Sequence, residues 1–142
     1  MRKKAFFITL LLISLTFLVN HIVKAEELNI KVMELKTNKV ISESQSSLEL
    51  DKEGKKAIKS IKKITVEANP LPNEGYLFKL TFTKPVKVKN KWFNDIISEV
   101  ILICDSTHAK EGKIVLYTDE NTPMFFDIEY EFTILSEKLN IK

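Results

Sequence analysis

The sequence predicts an α+β fold: a predominantly antiparallel β-sheet of meander type with one short helix packed on it. Three observations carry this. Apolar side chains recur at every second position in several stretches, the signature of half-buried strands. One segment alone, Asp51 to Lys63, has apolar residues at helical spacing. Connections after residue 64 are short and turn-rich, with no helical crossover, so neighbouring strands pair as hairpins. The alternative is an all-β sandwich with the helix as an edge decoration.

The chain opens on Met1-Arg2-Lys3-Lys4, followed by a 15-residue apolar run from Ala5 to Val19, then Asn20-His21 and Val23-Lys24-Ala25. A positive head, a short apolar body and small residues at the cut make a secretory signal peptide. The run falls short of the roughly 20 residues of a permanent membrane helix. Cleavage near Ala25 is expected, leaving a single strand-rich exported domain, 26–142, with no transmembrane span. The alternative is an uncleaved anchor, with Ile22 and Val23 extending the run. The basic head suits bacterial secretion, and the protein is expected to be secreted, extracellular or associated with the cell surface.

Removing the leader reverses the charge. Four of the 22 Lys+Arg lie in residues 1–25, with no acid among them, so 18 lysines face 19 acids and the net charge falls from +3 to −1. The remaining 117 residues contain no Arg. A guanidinium fork is the better tool for planar phosphate or base recognition, so specific nucleic-acid binding is not expected. Cys104 is the only cysteine, so no intramolecular disulfide forms and packing alone must hold the domain.

Along the chain, Leu28, Ile30 and Val32 alternate with polar residues and read as the first strand. In the helix, Gly54, Ala57, Ile58 and Ile61 share a face, Asp51 is the expected N-cap, and Lys62 and Lys63 suit the negative end of the dipole. A strand resumes at Ile64-Thr65-Val66. Two prolines make Asn69 to Gly75 a loop. Tyr76, Phe78, Leu80 and Phe82 form a strand, and Pro85 separates it from Val86 and Val88. Ile96 to Cys104 is nearly continuous in apolar character and reads as the most central strand. Asp105 to Gly112 and Asp119 to Pro123 are turns around a shorter strand, Ile114 to Tyr117. A last strand runs through Phe126, Ile128, Tyr130, Phe132 and Ile134.

Chemistry-bearing motifs are few. Cys104 and His108 invite a Cys–His pairing, but residues four apart on an extended strand lie roughly 13 Å apart, and the pair meets only if the chain turns at Asp105-Ser106. A packed Cys104 and a loop histidine are the expectation. Asp127, Glu129 and Glu131 form an acidic row about 6.6 Å apart along one strand, too spread for one calcium to use all three easily. The three glycines are isolated, which excludes a phosphate-cradling loop. No catalytic residue, metal site or cofactor is expected.

The sharper signal is charge segregation. Lys52 to Trp92 holds 11 Lys and three acids; Phe93 to Lys142 holds 10 acids and four Lys. Lys79, Lys87, Lys89 and Lys91 punctuate two adjacent stretches that end at Trp92, and these five are the candidate binding residues. Such a surface suits an anionic polymer or lipid head groups, with the aromatic ring adding a stacking contact. The competing expectation is that these lysines pair with the acidic row on neighbouring strands. The sequence therefore points to a non-enzymatic binding or interaction module whose partner is a protein or an anionic surface polymer. The alternative is a small exported enzyme or enzyme inhibitor with a site near Cys104 and His108.

Overall fold

Each alternating stretch finds an antiparallel partner. The computed structural model describes residues 28–142, so the leader expected over 1–25 lies outside the described residues. Seven strands form one sheet: β1 (Asn29–Glu34), β2 (Lys39–Gln45), β3 (Ile61–Ile64), β4 (Gly75–Lys89), β5 (Asn94–Asp105), β6 (Glu111–Tyr117) and β7 (Pro123–Glu129). Their spatial order is β2-β1-β4-β5-β6-β7-β3, antiparallel throughout. Two helices among the described residues, α1 (Leu48–Lys59) and α2 (Phe132–Lys138), complete an α+β fold that is mostly β. β5, built on Ile96–Cys104, is the fourth strand of seven and thus the central one.

The register explains the alternation. Ile30 lies opposite Leu80 and Val32 opposite Phe78; Leu80 and Phe78 lie opposite Val100 and Leu102; Leu102 meets Ile114, which meets Phe126. All eight share one face, and none is more than 1% exposed. Burying each such side chain contributes roughly 1.5–3 kcal/mol. α1 covers this face with Leu50, Gly54 and Ala57. Gly54 weakens the helix by up to ~1 kcal/mol, but a Cβ there would come 2.8 Å from the Phe82 ring, so the close approach of α1 to β4 requires glycine.

The helix is displaced from its expected span. It starts at Leu48, where the Ser47 side chain accepts from the Leu50 amide at 3.2 Å, so Ser47 and not Asp51 is the N-cap. Asp51 lies one turn in, and its carboxylate accepts from the Thr83 amide at 3.1 Å and from the Thr83 hydroxyl. The helix ends at Lys59, with the Ser60 hydroxyl donating to the Ala57 carbonyl at 2.7 Å. Lys62 and Lys63 therefore belong to β3, because Ile61 and Ile64 pair with Ile128 and Phe126 of β7 rather than prolonging the helix.

Three further features depart from the sequence reading. Pro85 does not divide two strands. β4 runs through it as a bulge, in which Phe82 to Pro85 oppose Ser98 alone, and a bulge tolerates the missing N–H. The last strand stops at Glu129, and residues 132–138 turn helical. Phe132, Leu135 and Leu139, spaced three and four apart, drop into the core at 1%, 0% and 6% exposure, while Ile134 is left exposed. Phe132 lies 6.1 Å from Phe78 and 5.1 Å from Tyr130, centroid to centroid. Finally, β2 is an edge strand that apolar alternation does not mark, since Val40 and Ile41 are adjacent and both exposed.

Candidate functional site

β4 is 15 residues long and β1 only six, and the two pair only as far as Leu80 opposite Ile30. The distal end of β4 therefore overhangs its neighbour. Residues Val86–Lys89 pair with β5 on one side and, among the described residues, with no strand on the other. A groove of about 450 Å³ lies along this free side. Its walls are Lys55, Ile58 and Lys59 of α1, Ile61 of β3, and the consecutive stretch Val86–Asn90, with Trp92 at the end.

The local sequence builds both walls. Lys55 and Lys59 stand one turn apart on α1, flanking Ile58. On β4, Val86 and Val88 face the core side, Val88 buried and Val86 half-buried, while Lys87 and Lys89 are exposed. The Asn90 side chain accepts from the Trp92 and Phe93 amides at 2.8 and 2.9 Å, which closes the hairpin and fixes Trp92. The Trp92 ring packs 6.3 Å from Phe126 and carries the Lys91 ammonium 4.2 Å from its centroid. Such a cation–π contact at an exposed site contributes roughly 0.5–1 kcal/mol.

The electrostatics are one-sided. Among the described residues, no acidic side chain lines the groove. Among the described residues, Lys55, Lys59, Lys87, Lys89 and Lys91 make no salt bridge. The Lys87 charge does reach Asp95. That carboxyl lies below its usual range, first because the Asp119 and Ile96 amides donate to it.

Of the five residues singled out from the sequence, the structure gathers Lys87, Lys89 and Trp92 in the groove, with Lys91 over the ring. It separates Lys79, which pairs with Glu99 at 3.0 Å on the uncovered face of the sheet. The acidic row does not neutralise the candidate lysines. Asp127 pairs with Lys63 and Lys113, Glu129 with Lys62, and Glu131 with Lys110, at 3.1–3.9 Å. Sequence reading missed Lys55, Ile58, Lys59 and Ile61 as the opposite wall. Their own signal, lysines flanking an apolar stripe, was present, but nothing local joins it to β4.

Cys104 and His108 are not assembled. Cys104 lies on the covered face of β5, and its thiol donates to the Asp105 carbonyl at 3.4 Å. Burial, then the Asp105 charge, pushes the thiol up to about 11, the opposite of nucleophile activation. His108 is exposed in the β5–β6 turn, its Nδ1 2.8 Å from the Thr107 hydroxyl. It borders a second cleft of about 450 Å³ in which Lys62 pairs with Glu129, Lys63 with Asp127, and Lys113 with Glu67 and Asp127, while Asp105 and Glu111 also line it. Among the described residues no three His, Cys, Asp or Glu side chains converge on a metal-sized site, and no helix is long and apolar enough to cross a membrane. No family model matches the chain, and neither do the curated proteins or the solved structures with which it was compared.

Proposed function

We propose that the chain is an exported, non-enzymatic binding module that acts at or outside the cell surface and engages an anionic partner through the groove between α1 and β4. One observation carries the reading: four lysines and Trp92 border a partly apolar groove that, among the described residues, contains no acid. Like charges held close without counter-charges cost folding energy, and an anionic partner would offset that cost. The export half of the reading rests on the leader-like residues 1–25.

Retention on anionic cell-wall material or anionic vesicles at low salt, weakening as salt rises, is the expected behaviour. The variant carrying Lys55→Glu, Lys59→Glu, Lys87→Glu and Lys89→Glu should lose it. Retention that survives those four reversals rejects the groove. N-terminal sequencing of protein recovered from the culture medium should begin at Glu26, and a chain that stays with the cells and keeps Met1 rejects export.

A further inference from the structure

The groove offers more than charge, because its β4 wall is an unpaired strand edge. Asn90 donates to the Phe93 carbonyl at 2.8 Å, which sets the phase of the ladder. In an antiparallel pair, alternate residues direct their backbone groups to the partner and away from it. Val88, opposite Asp95, and Val86, opposite Ile97, therefore bond to β5, while Lys87 and Lys89 turn their N–H and C=O groups outward. No backbone or side-chain partner for these outward groups occurs among the described residues. This is why consecutive residues line the groove, not every second one.

Resting on the anionic-groove reading, we infer that the ligand is an extended acidic peptide that adds to the free edge of β4 as an extra strand. The pleat dictates its pattern. Side chains level with Lys87 and Lys89 project to the same side as those lysines and are acidic, since opposite charges across a ladder stabilise each other. Side chains level with Val86 and Val88 project toward α1 and are apolar, resting on Ile58, Ile61 and Trp92. Lys55 and Lys59 border the mouth on the helix side and favour the same sign of partner. Backbone bonds supply affinity and alternate side chains supply selectivity, the usual division in strand addition. A polyanion without a peptide backbone would satisfy the lysines but leave the edge and the apolar floor unused.

The test follows Trp92, the only tryptophan of the chain, by fluorescence on the full-length protein. The probes are a capped hexapeptide alternating Glu and Val, its Gln–Val counterpart, two forms of the Glu–Val peptide N-methylated at alternate amides in either phase, and inorganic polyphosphate. The Glu–Val peptide should bind saturably, and the Gln–Val peptide about tenfold or more weakly. One N-methylated phase should abolish binding and the other leave it nearly intact. Lys89→Pro, which removes an outward N–H without touching the β5 ladder, should weaken binding well beyond Lys89→Ala, with thermal melting confirming that both fold. Equal binding of both methylated forms, or equal affinity of the two Lys89 variants, overturns strand addition. Binding of polyphosphate without binding of the peptide also overturns it, yet leaves the anionic groove standing. Failure of both probes at low salt sinks the groove as well.

Discussion

Replacing Tyr130 by Phe probes the buried tie between α1 and the end of β7. The Tyr130 hydroxyl donates to Glu53 Oε2 at 2.6 Å, and the Lys56 ammonium reaches Oε1 at 2.8 Å. The Glu53 side chain is 4% exposed and that of Lys56 62%. Solvent screens the ion pair to under ~1 kcal/mol, so the hydroxyl is the donor that matters to the buried oxygen. Burial pushes the Glu53 carboxyl up, but the Lys56 and Tyr130 hydrogen bonds outweigh it and hold the group below the usual range. The Tyr130 hydroxyl is itself pushed up, by burial first and then by Glu53, and so stays a donor. A hydrogen bond to a charged group contributes roughly 1.5–3 kcal/mol, and stranding its buried partner forfeits that amount. Tyr130→Phe should therefore cost about 2 kcal/mol at neutral pH. That corresponds to a melting-temperature drop of roughly 8 °C for a domain of this size. The sign of the pH dependence follows from the depressed carboxyl. Its stabilisation is complete above the unfolded value near 4.5 and is lost as pH falls through the lower folded value. Without Tyr130 the burial effect gains weight and the folded pKa rises, so the deficit of the variant shrinks on acidification. Urea unfolding of both proteins at pH 7 and pH 3 measures this. A deficit under about 0.5 kcal/mol at pH 7, within the range of ordinary surface substitutions, refutes the buried tie. An equal deficit at both pH values refutes the charged state of Glu53.

Other perturbations read other joints of the fold. Gly112→Ala places a Cβ 2.4 Å from the Ile103 carbonyl oxygen and 2.6 Å from the Phe132 ring. It should cost about 1–3 kcal/mol in urea unfolding, and a neutral result would mean that Phe132 does not seat against β6. Asp51→Ala removes the acceptor of the Thr83 amide and hydroxyl. It should destabilise by about 1–3 kcal/mol and speed exchange of the Thr83 amide proton, whereas unchanged exchange would show that Asp51 does not hold the bulge. Cys104, 7% exposed with its thiol near 11, should resist iodoacetamide at pH 8 in the native protein and react fully once unfolded. Prompt native labelling would place it outside the core.

The sheet was legible where one face is buried and the other wet, because the pleat then writes itself into the sequence. Tyr76 to Phe82 is such a strand, whereas Ile96 to Cys104 was legible as a near-continuous apolar run, its Leu102, Ile103 and Cys104 all buried. β2 was not, since an edge strand with Val40 and Ile41 both exposed has no buried face to mark it. The swing from β7 into α2 was hidden by coincidence. Phe132 keeps the two-residue parity of Phe126, Ile128 and Tyr130, and only Leu135 and Leu139 reveal the helical spacing that the core uses. At the site, Lys87, Lys89 and Trp92 were legible because they are neighbours in sequence. The α1 wall was not, because its partner lies some 30 residues further along the chain, across a strand and a loop, and no local pattern reports that meeting.

The groove is a product of topology as much as of its residues. α1 connects β2 and β3, which are the two edges of the sheet. Seven strands at their usual spacing measure roughly 29 Å from edge to edge, whereas the 12 residues of α1 span roughly 18 Å. Ser46, Ser47 and Ser60 bridge the remainder, so the crossing is short. Gly54 against Phe82 and Asp51 against Thr83 fasten it at the bulge, just before the overhang begins. Beyond that point the groove lies between α1 and β4. The lysines sort the same way. Lys62, Lys63, Lys110 and Lys113 form salt bridges around β3, β6 and β7, whereas those flanking the groove form none among the described residues. A charge imbalance written along the chain thus becomes a cluster of lysines without salt bridges at a stretch of β4 whose backbone, among the described residues, pairs on one side only.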